Sequence, residues 1–238
     1  MTALSQQKAA LELWGGKLSS KYIKDFLSNS YEQSKDAPNK IGDFVKDKGL
    51  SGQRAQVYHN PKTGQAVVVH RGSSGIHDWG NNLKMVLGFD MKNTKRFQHA
   101  KKIQQQAETK YGAKNISTLG HSLGGKIASD VGADSGEIIT LNKPVAGRDL
   151  FAKDKGKKEN ETNVRTEGDV VSALDTGSDF TIPSKSLNPI AEHTTDVLDR
   201  TGDKEFGKSN VGQEKLPNLE VKKEPTKIGS IFSRKGIE

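Results

Sequence analysis

The sequence predicts an α/β fold, a mostly parallel central sheet flanked by helices, on three observations. The apolar, β-branched run Ala66-Val67-Val68-Val69-His70 suits a strand buried on both faces. A long helical pattern follows over residues 93–111. Short apolar runs at 115–119 and 137–141 then bracket a second helical pattern at 123–131. Strand, helix, strand, helix, strand is the alternation that builds parallel βαβ units.

Taken in chain order, residues 3–14 and 18–31 show helical spacing, the second with Leu18, Tyr22, Phe26 and Ser30 along one stripe. Residues 53–60 and 65–70 flank the turn sequence Pro61-Lys62-Thr63-Gly64 and predict a hairpin whose second arm is the central strand. In 93–111, Phe97, Ala100, Ala107 and Tyr111 turn to the core, lysines point outward, and Gly112 ends the helix. In 123–131, Leu123, Ile127 and Val131 recur at i, i+4, i+8. After Asn142 the pattern weakens. Residues 151–162 read as a charged loop, and 164–167 and 180–183 as short strands at the far end of the sheet. From about Arg200 the chain turns to Lys, Glu, Gly, Ser and Pro with scattered apolar residues, the composition of a flexible tail. The expected organisation is an N-terminal helical segment packing on the core (1–50), an α/β core (51–199) and a basic tail (200–238), with no internal repeat.

A chain of 238 residues can bury a real core, although 32% hydrophobic and 6% aromatic content makes it a polar one. The formal net charge of +8 suits peripheral contact with an anionic membrane. It equally suits a solvated surface, because 37 basic residues are interspersed with 29 acidic ones; no nucleic-acid partner is expected. With no cysteine there is neither a disulfide framework nor a thiolate metal site, which is compatible with a reducing compartment. The start of the chain lacks a basic stretch followed by an apolar one, and no run reaches membrane-spanning length. The expectation is a protein without signal peptide or transmembrane segment, cytoplasmic or associated with a virion.

Between the strand at 115–119 and the helix at 123–131 lies Gly120-His121-Ser122-Leu123-Gly124-Gly125-Lys126-Ile127. As G-x-S-x-G it is a nucleophile elbow; as G-x-x-x-x-G-K it stops one residue short of a phosphate-binding loop. A phosphate loop needs a Ser or Thr hydroxyl after the lysine to hold magnesium, and Ile127 cannot ligate a metal. The elbow pattern is complete. It favours Ser122 as an attacking oxygen and leaves a nucleotide-binding loop as the weaker alternative.

A serine hydroxyl is a poor nucleophile at neutral pH and needs a general base that is itself oriented by a carboxylate. In α/β-hydrolase sheets these partners follow the serine in the order Asp, His. Of the six histidines only His193 comes after Ser122, in a loop setting. Asp169 falls just past an expected strand, where a carboxylate can project from the C-terminal edge of the sheet. Asp175 and Asp196 are the runners-up, Asp196 being better placed to start a helix. The oxyanion needs two donors, one from the amide of Leu123 and one from the glycine-containing turn His70-Arg71-Gly72-Ser73-Ser74. Beyond it, the polar, glycine-bounded stretch from Ile76 to Asn82 holds Trp79, as a lid or interface-contacting segment would, or as a tryptophan closing one end of the sheet. The apolar residues 83–89 suit a lipid surface or an ordinary core element. No ligand spacing calls for a metal or an organic cofactor.

Three blocks in order, Val68-Val69-His70-Arg71-Gly72-Ser73-Ser74 through Asp78-Trp79, then Gly120-His121-Ser122-Leu123-Gly124-Gly125, then Thr140-Leu141-Asn142-Lys143-Pro144-Val145-Ala146-Gly147, resemble the class 3 lipase family, which includes secreted fungal triacylglycerol lipases. The resemblance spans roughly residues 53–193. It implies an α/β-hydrolase fold and a carboxylic ester hydrolase acting on lipid or other esters; the basic charge and the apolar stretch 83–89 favour phospholipids among them. It further implies Ser122 as nucleophile, Asp169 as triad acid, His193 as base, Ser73 and Leu123 as the oxyanion hole, and the segment with Ile76 and Trp79 as a lid. The chain departs from the family in having His70 where an apolar residue is usual, Asn142 where glycine is usual, Val170-Val171-Ser172 after the acid, and a short stretch between acid and base. The alternative reading is a non-catalytic lipid-binding or interaction module that keeps the fold, with the basic tail facing its partner. Thioesterase and acyltransferase chemistry would suit the same triad.

Overall fold

In the computed structural model, residues 18–32, 36–73, 91–145, 157–207 and 214–215 are described. The helix expected at 3–14, the segment carrying Ile76 and Trp79, and the apolar stretch 83–89 lie outside them. The chain runs β1 (Leu18–Ser19), α1 (Ser20–Asn29), β2 (Lys40–Ile41), β3 (Phe44–Lys46), β4 (Ala55–His59), β5 (Ala66–His70), α2 (Lys95–Tyr111), β6 (Ile116–His121), α3 (Leu123–Val131), β7 (Glu137–Leu141), β8 (Glu161–Thr166), β9 (Phe180–Ile182), α4 (Pro189–Glu192), a 3-10 helix (Thr195–Thr201), β10 (Glu205–Phe206) and β11 (Glu214–Lys215). The main sheet has the order β11-β9-β8-β7-β6-β5-β4-β3-β2. Strands β5 to β9 are parallel and β2 to β4 antiparallel, which makes this an α/β-hydrolase fold. No helix among the described residues is long and apolar enough to cross a membrane.

The hairpin forms as the turn sequence predicts, with Val57 opposite Val68 and Tyr58 opposite Val67. Its second arm is buried at every position because helices cover both faces of the sheet. Period-two alternation divides it: Val67 and Val69 join Phe26, Leu27 and Tyr58 under α1, while Ala66 and Val68 meet Ile103 and Ala107 of α2. On the α1 side, Phe26 has its ring centroid 5.4 Å from those of both Phe44 and Tyr58 in edge-on contact. Such pairs add roughly 0.5–1.5 kcal/mol each beyond the area they bury. The buried stripe of α1 is Ile23, Phe26 and Leu27 rather than the expected Leu18, Tyr22, Phe26 line, since Leu18 belongs to β1 and Tyr22 is part-exposed. Helices α2 and α3 pack together on the other face through Ala100, Leu123 and Ile127.

Two expectations are corrected. Strand β8 begins at Glu161, inside what read as a charged loop. Its polar side chains are satisfied within the protein: Glu161 accepts from Lys143 Nζ at 2.6 Å and from Ser129 Oγ at 2.9 Å, and Thr162 donates to Glu137 at 2.9 Å. Buried polar groups are tolerated when each finds a partner. The second correction is the tail, which does not start at residue 200. Glu205 and Phe206 pair antiparallel with β1, and Phe206 is fully buried against the Phe180 ring, 4.9 Å between centroids. Glu214 and Lys215 then add a parallel strand to β9.

Candidate active site

The C-terminal ends of β5, β6 and β8 converge on one edge of the sheet, the usual place for a site in open α/β folds. Ser122 lies between β6 and α3 with φ 58° and ψ −132°. That conformation is strained for a residue with a side chain and is stored where the surroundings enforce it. Here they do. A Cβ on Gly120 would come within 2.2 Å of the Gly124 carbonyl oxygen, and one on Gly124 within 2.1 Å of the His70 carbonyl oxygen, so both glycines of G-x-S-x-G are required by backbone contact. The Ser122 amide donates to the Leu141 carbonyl at 2.9 Å and ties the turn to β7. Leu123 opens α3; the Gly125 amide donates to the Ser122 carbonyl at 2.8 Å, while the amides of Leu123 and Gly124 precede the first intrahelical bond.

Asp169 follows β8, fully buried. Its carboxylate accepts from the Val171 amide at 3.2 Å, the Ser172 amide at 2.9 Å, the Ser172 hydroxyl at 2.5 Å and His193 Nδ1 at 2.7 Å. His193 caps the short helix α4, whose N-cap Asn188 accepts from the Ile190 amide. An ion pair between the fully buried Glu192 and the part-buried Arg200, 2.5 Å long, anchors the end of that helix. Asn142 also braces it: its amide donates to the Glu192 carbonyl at 3.0 Å while its oxygen accepts from the Thr166 amide at 2.8 Å. Asn142 has φ 48°, so the position calls for glycine or asparagine, and asparagine alone supplies the two bonds.

Ser122, His193 and Ser73 line one cavity of about 310 Å³, together with Ser28, Tyr31, His121, Ile190, Thr194, Thr195 and Asp196. Part of its lining, Ser28 and Tyr31, comes from α1 and the residues just after it. Ser28 Oγ lies 2.7 Å from Thr195 Oγ1, and Lys24 pairs with Asp196 and Asp199 of the 3-10 helix. Tyr31 continues this contact into the site: its hydroxyl lies 2.7 Å from His121 Nδ1. His121 Nε2 donates to the His193 carbonyl oxygen at 2.6 Å, which fixes the His121 tautomer and makes Nδ1 the acceptor of the Tyr31 proton. The two imidazoles stand 4.7 Å apart, centroid to centroid. Burial holds His121 well below its ordinary pKa, as does the neighbouring His193, so its ring is neutral; burial also pushes the Tyr31 phenol up. The phenol oxygen also packs against Gly72, where a Cβ would come within 2.2 Å of it, so one side chain contacts both the loop before Ser73 and the residue beside Ser122.

Of the residues expected from sequence, the structure brings together Ser73, Ser122, Leu123, Asp169 and His193. The runners-up have other partners than His193: Asp196, on the cavity rim, pairs with Lys24, and Asp175, whose carboxyl burial pushes up, accepts from the Gly177 amide at 3.1 Å. Lys126, the lysine of the phosphate-loop alternative, pairs with Asp130 one turn along α3 at 2.7 Å, and Ile127 is buried. Sequence reasoning missed Ser28, Tyr31, Ser172 and Glu192. Only Asn142, an asparagine just past a strand, carried a local signal.

Comparison with solved structures finds a Rhizomucor miehei lipase propeptide complex at 17% identity and TM-score 0.47, covering 67% of this chain and 66% of that one. A triacylglycerol lipase from Penicillium expansum matches at 16% identity and TM-score 0.46, covering 89% and 92%, and Lip2 lipase from Yarrowia lipolytica at 13% and 0.43, covering 66% and 72%. The chain thus spans slightly under two thirds of the Rhizomucor miehei protein. No curated protein matches. The profile of the phospholipase-like group described as the Tle-like phospholipase domain matches residues 30–222, and the chain belongs to that family, a class 3 lipase-like one.

Proposed function

We propose that this chain is a serine ester hydrolase that cleaves acyl esters of lipids, phospholipids in particular, through an acyl-enzyme. The observation that carries the reading is the 2.7 Å bond between His193 Nδ1 and a fully buried Asp169, in a histidine that shares one cavity with a serine on a strained elbow. Membership of the Tle-like phospholipase domain family supports ester hydrolysis as the reaction class.

In the proposed reaction Ser122 Oγ attacks the ester carbonyl carbon while His193 Nε2 takes the hydroxyl proton. Asp169 keeps the proton on Nδ1 and stabilises the imidazolium as it forms. The carbonyl oxygen, now negative, is received by the amides of Ser73 and Leu123. Collapse breaks the ester C–O bond, and His193 gives its proton to the departing alcohol oxygen. Water then attacks the acyl carbon, loses a proton to His193 and releases the fatty acid, and the proton returns to Ser122 Oγ. The neutral state of His121 matters here, because a second positive ring 4.7 Å away would oppose the imidazolium.

The test is covalent labelling. A fluorophosphonate should add one phosphonyl group per chain, located by peptide mass on Ser122 and absent from Ser122→Ala. Labelling elsewhere, or equal labelling of the variant, contradicts the assignment.

A further inference from the structure

A second cavity, of about 370 Å³, is lined by Gln53, Arg54, Lys95, Arg96 and His99. Its charged groups are all basic. Arg71 adds to them from the loop after β5, its guanidinium donating to the Gln53 carbonyl at 3.5 Å. Among the described residues no carboxylate forms an ion pair with Arg54, Arg71, Lys95, Arg96 or His99. The crowding is felt: burial first, and then Arg54, lowers the Arg96 guanidinium to about 10.

Part of this cluster opens α2, a helix of 17 residues that starts at the N-cap Thr94 and has no acidic residue in its first turn. The positive end of a helix dipole favours Asp or Glu there, and Lys95 and Arg96 stand in their place. A sequence that breaks a local stability rule at the mouth of a cavity points to a ligand that brings the missing negative charge.

We infer that this cavity binds a phosphate group, carried by an anionic phospholipid headgroup or present as a free phosphate ion. The Arg54 guanidinium fork can bond two phosphate oxygens at once, Lys95 adds a point charge, and the Lys95 and Arg96 amides, ahead of the Phe97 amide that the Thr94 hydroxyl takes, add donors. The site is separate from the Ser122 cavity and does not depend on catalysis there. Arg96 connects the two: its guanidinium also donates to the carbonyls of Arg71 at 2.5 Å and Gly72 at 2.9 Å, just before Ser73. A phosphate held here would bring an anionic lipid surface beside one wall of the candidate active site.

The full chain carrying Ser122→Ala, which removes the hydroxyl that the ester chemistry would use, is the protein to test, so a failure of the hydrolase reading leaves this result untouched. It is titrated with inorganic phosphate and cosedimented with phosphatidylglycerol-containing and pure phosphatidylcholine vesicles. The triple variant Arg54→Gln, Lys95→Gln, His99→Gln is set beside a control, Lys101→Gln, Lys102→Gln, Lys114→Gln, that removes at least as much surface charge. Thermal midpoints verify that both fold. The expected result is that the first set weakens binding to anionic vesicles by about tenfold or more while the control changes it less than about threefold, and that inorganic phosphate competes. If only inorganic phosphate binding is saturable and lost in the first set, the site stands with free phosphate as its ligand. If the two sets behave alike toward both probes, or if an oligonucleotide binds where phosphate and vesicles do not, the inference is overturned.

Discussion

His121 Nε2 donates to the carbonyl oxygen of His193 at 2.6 Å, so the residue beside the elbow serine holds the backbone of the histidine that shares its cavity. The bond requires the proton on Nε2; burial keeps the ring neutral, and Nδ1 is then left to accept from the Tyr31 hydroxyl.

Tyr31→Phe keeps the ring and removes the bond. It leaves the buried Nδ1 of His121 without its donor and loosens the ring that holds the His193 backbone. The expected result is a fall in kcat of about tenfold with KM changed less than about twofold. Equal kcat in variant and wild type would remove Tyr31 from the account.

The Asp169 carboxylate has four donors, and Ser172 supplies two of them. Ser172→Ala removes only the hydroxyl bond and should lower kcat/KM by about fivefold. Asp169→Asn presents the wrong hydrogen-bonding group to Nδ1 and should lower it by about ten-thousandfold. The ordering of the two losses, read from initial rates, is the check; a larger loss in Ser172→Ala would contradict it.

Gly124 faces the backbone of the loop after β5, and a methyl there would meet His70 O at 2.1 Å and Arg71 C at 2.8 Å. Neither can move without shifting the sheet edge. Gly124→Ala should therefore lose about 3 kcal/mol of stability in urea titration. Gly52→Ala, with nothing within 4 Å, should change it by less than about 0.5 kcal/mol.

His70 is buried with Nε2 3.2 Å from Gln104 Oε1, and burial lowers its pKa from 6.5 to about 4. Between those values the unfolded chain binds a proton that the folded protein refuses, so stability is full above pH 6.5 and falls as pH drops toward 4. The total is about 3 kcal/mol for this one group. His121, also lowered by burial, adds to the same slope. His70→Asn should flatten the difference between urea midpoints at pH 7.5 and pH 5; parallel curves for variant and wild type would show that His70 does not set it.

The elements bearing the candidate site were legible where the signal was local. The elbow glycines declare themselves because backbone contact excludes any other residue. Strands β5 and β7 show as apolar runs because helices bury both of their faces. Asp169 and His193 were named from chain order and from the family resemblance, with no local pattern that marks either. Strand β8 stayed hidden because Glu161, Thr162 and Asn163 look solvated until Lys143, Ser129 and Glu137 are brought to them. Tyr31 and Ser28 were invisible for a similar reason. Nothing within α1 says that it folds back on the 3-10 helix; that placement comes from the pairing of β1 with β10, two residues on each strand, too short for any periodicity to show.

Ser122 is the proposed nucleophile and His193 the base that serves it. Hydrolysis of p-nitrophenyl esters with short and long acyl chains, by wild type beside Ser122→Ala and His193→Ala, tests this assignment most directly. The expected result is turnover by wild type and loss of at least about a thousandfold in kcat for each variant, with folding intact. Wild-type protein that hydrolyses no ester, with or without a phospholipid surface, or a Ser122→Ala variant as active as wild type, would contradict it.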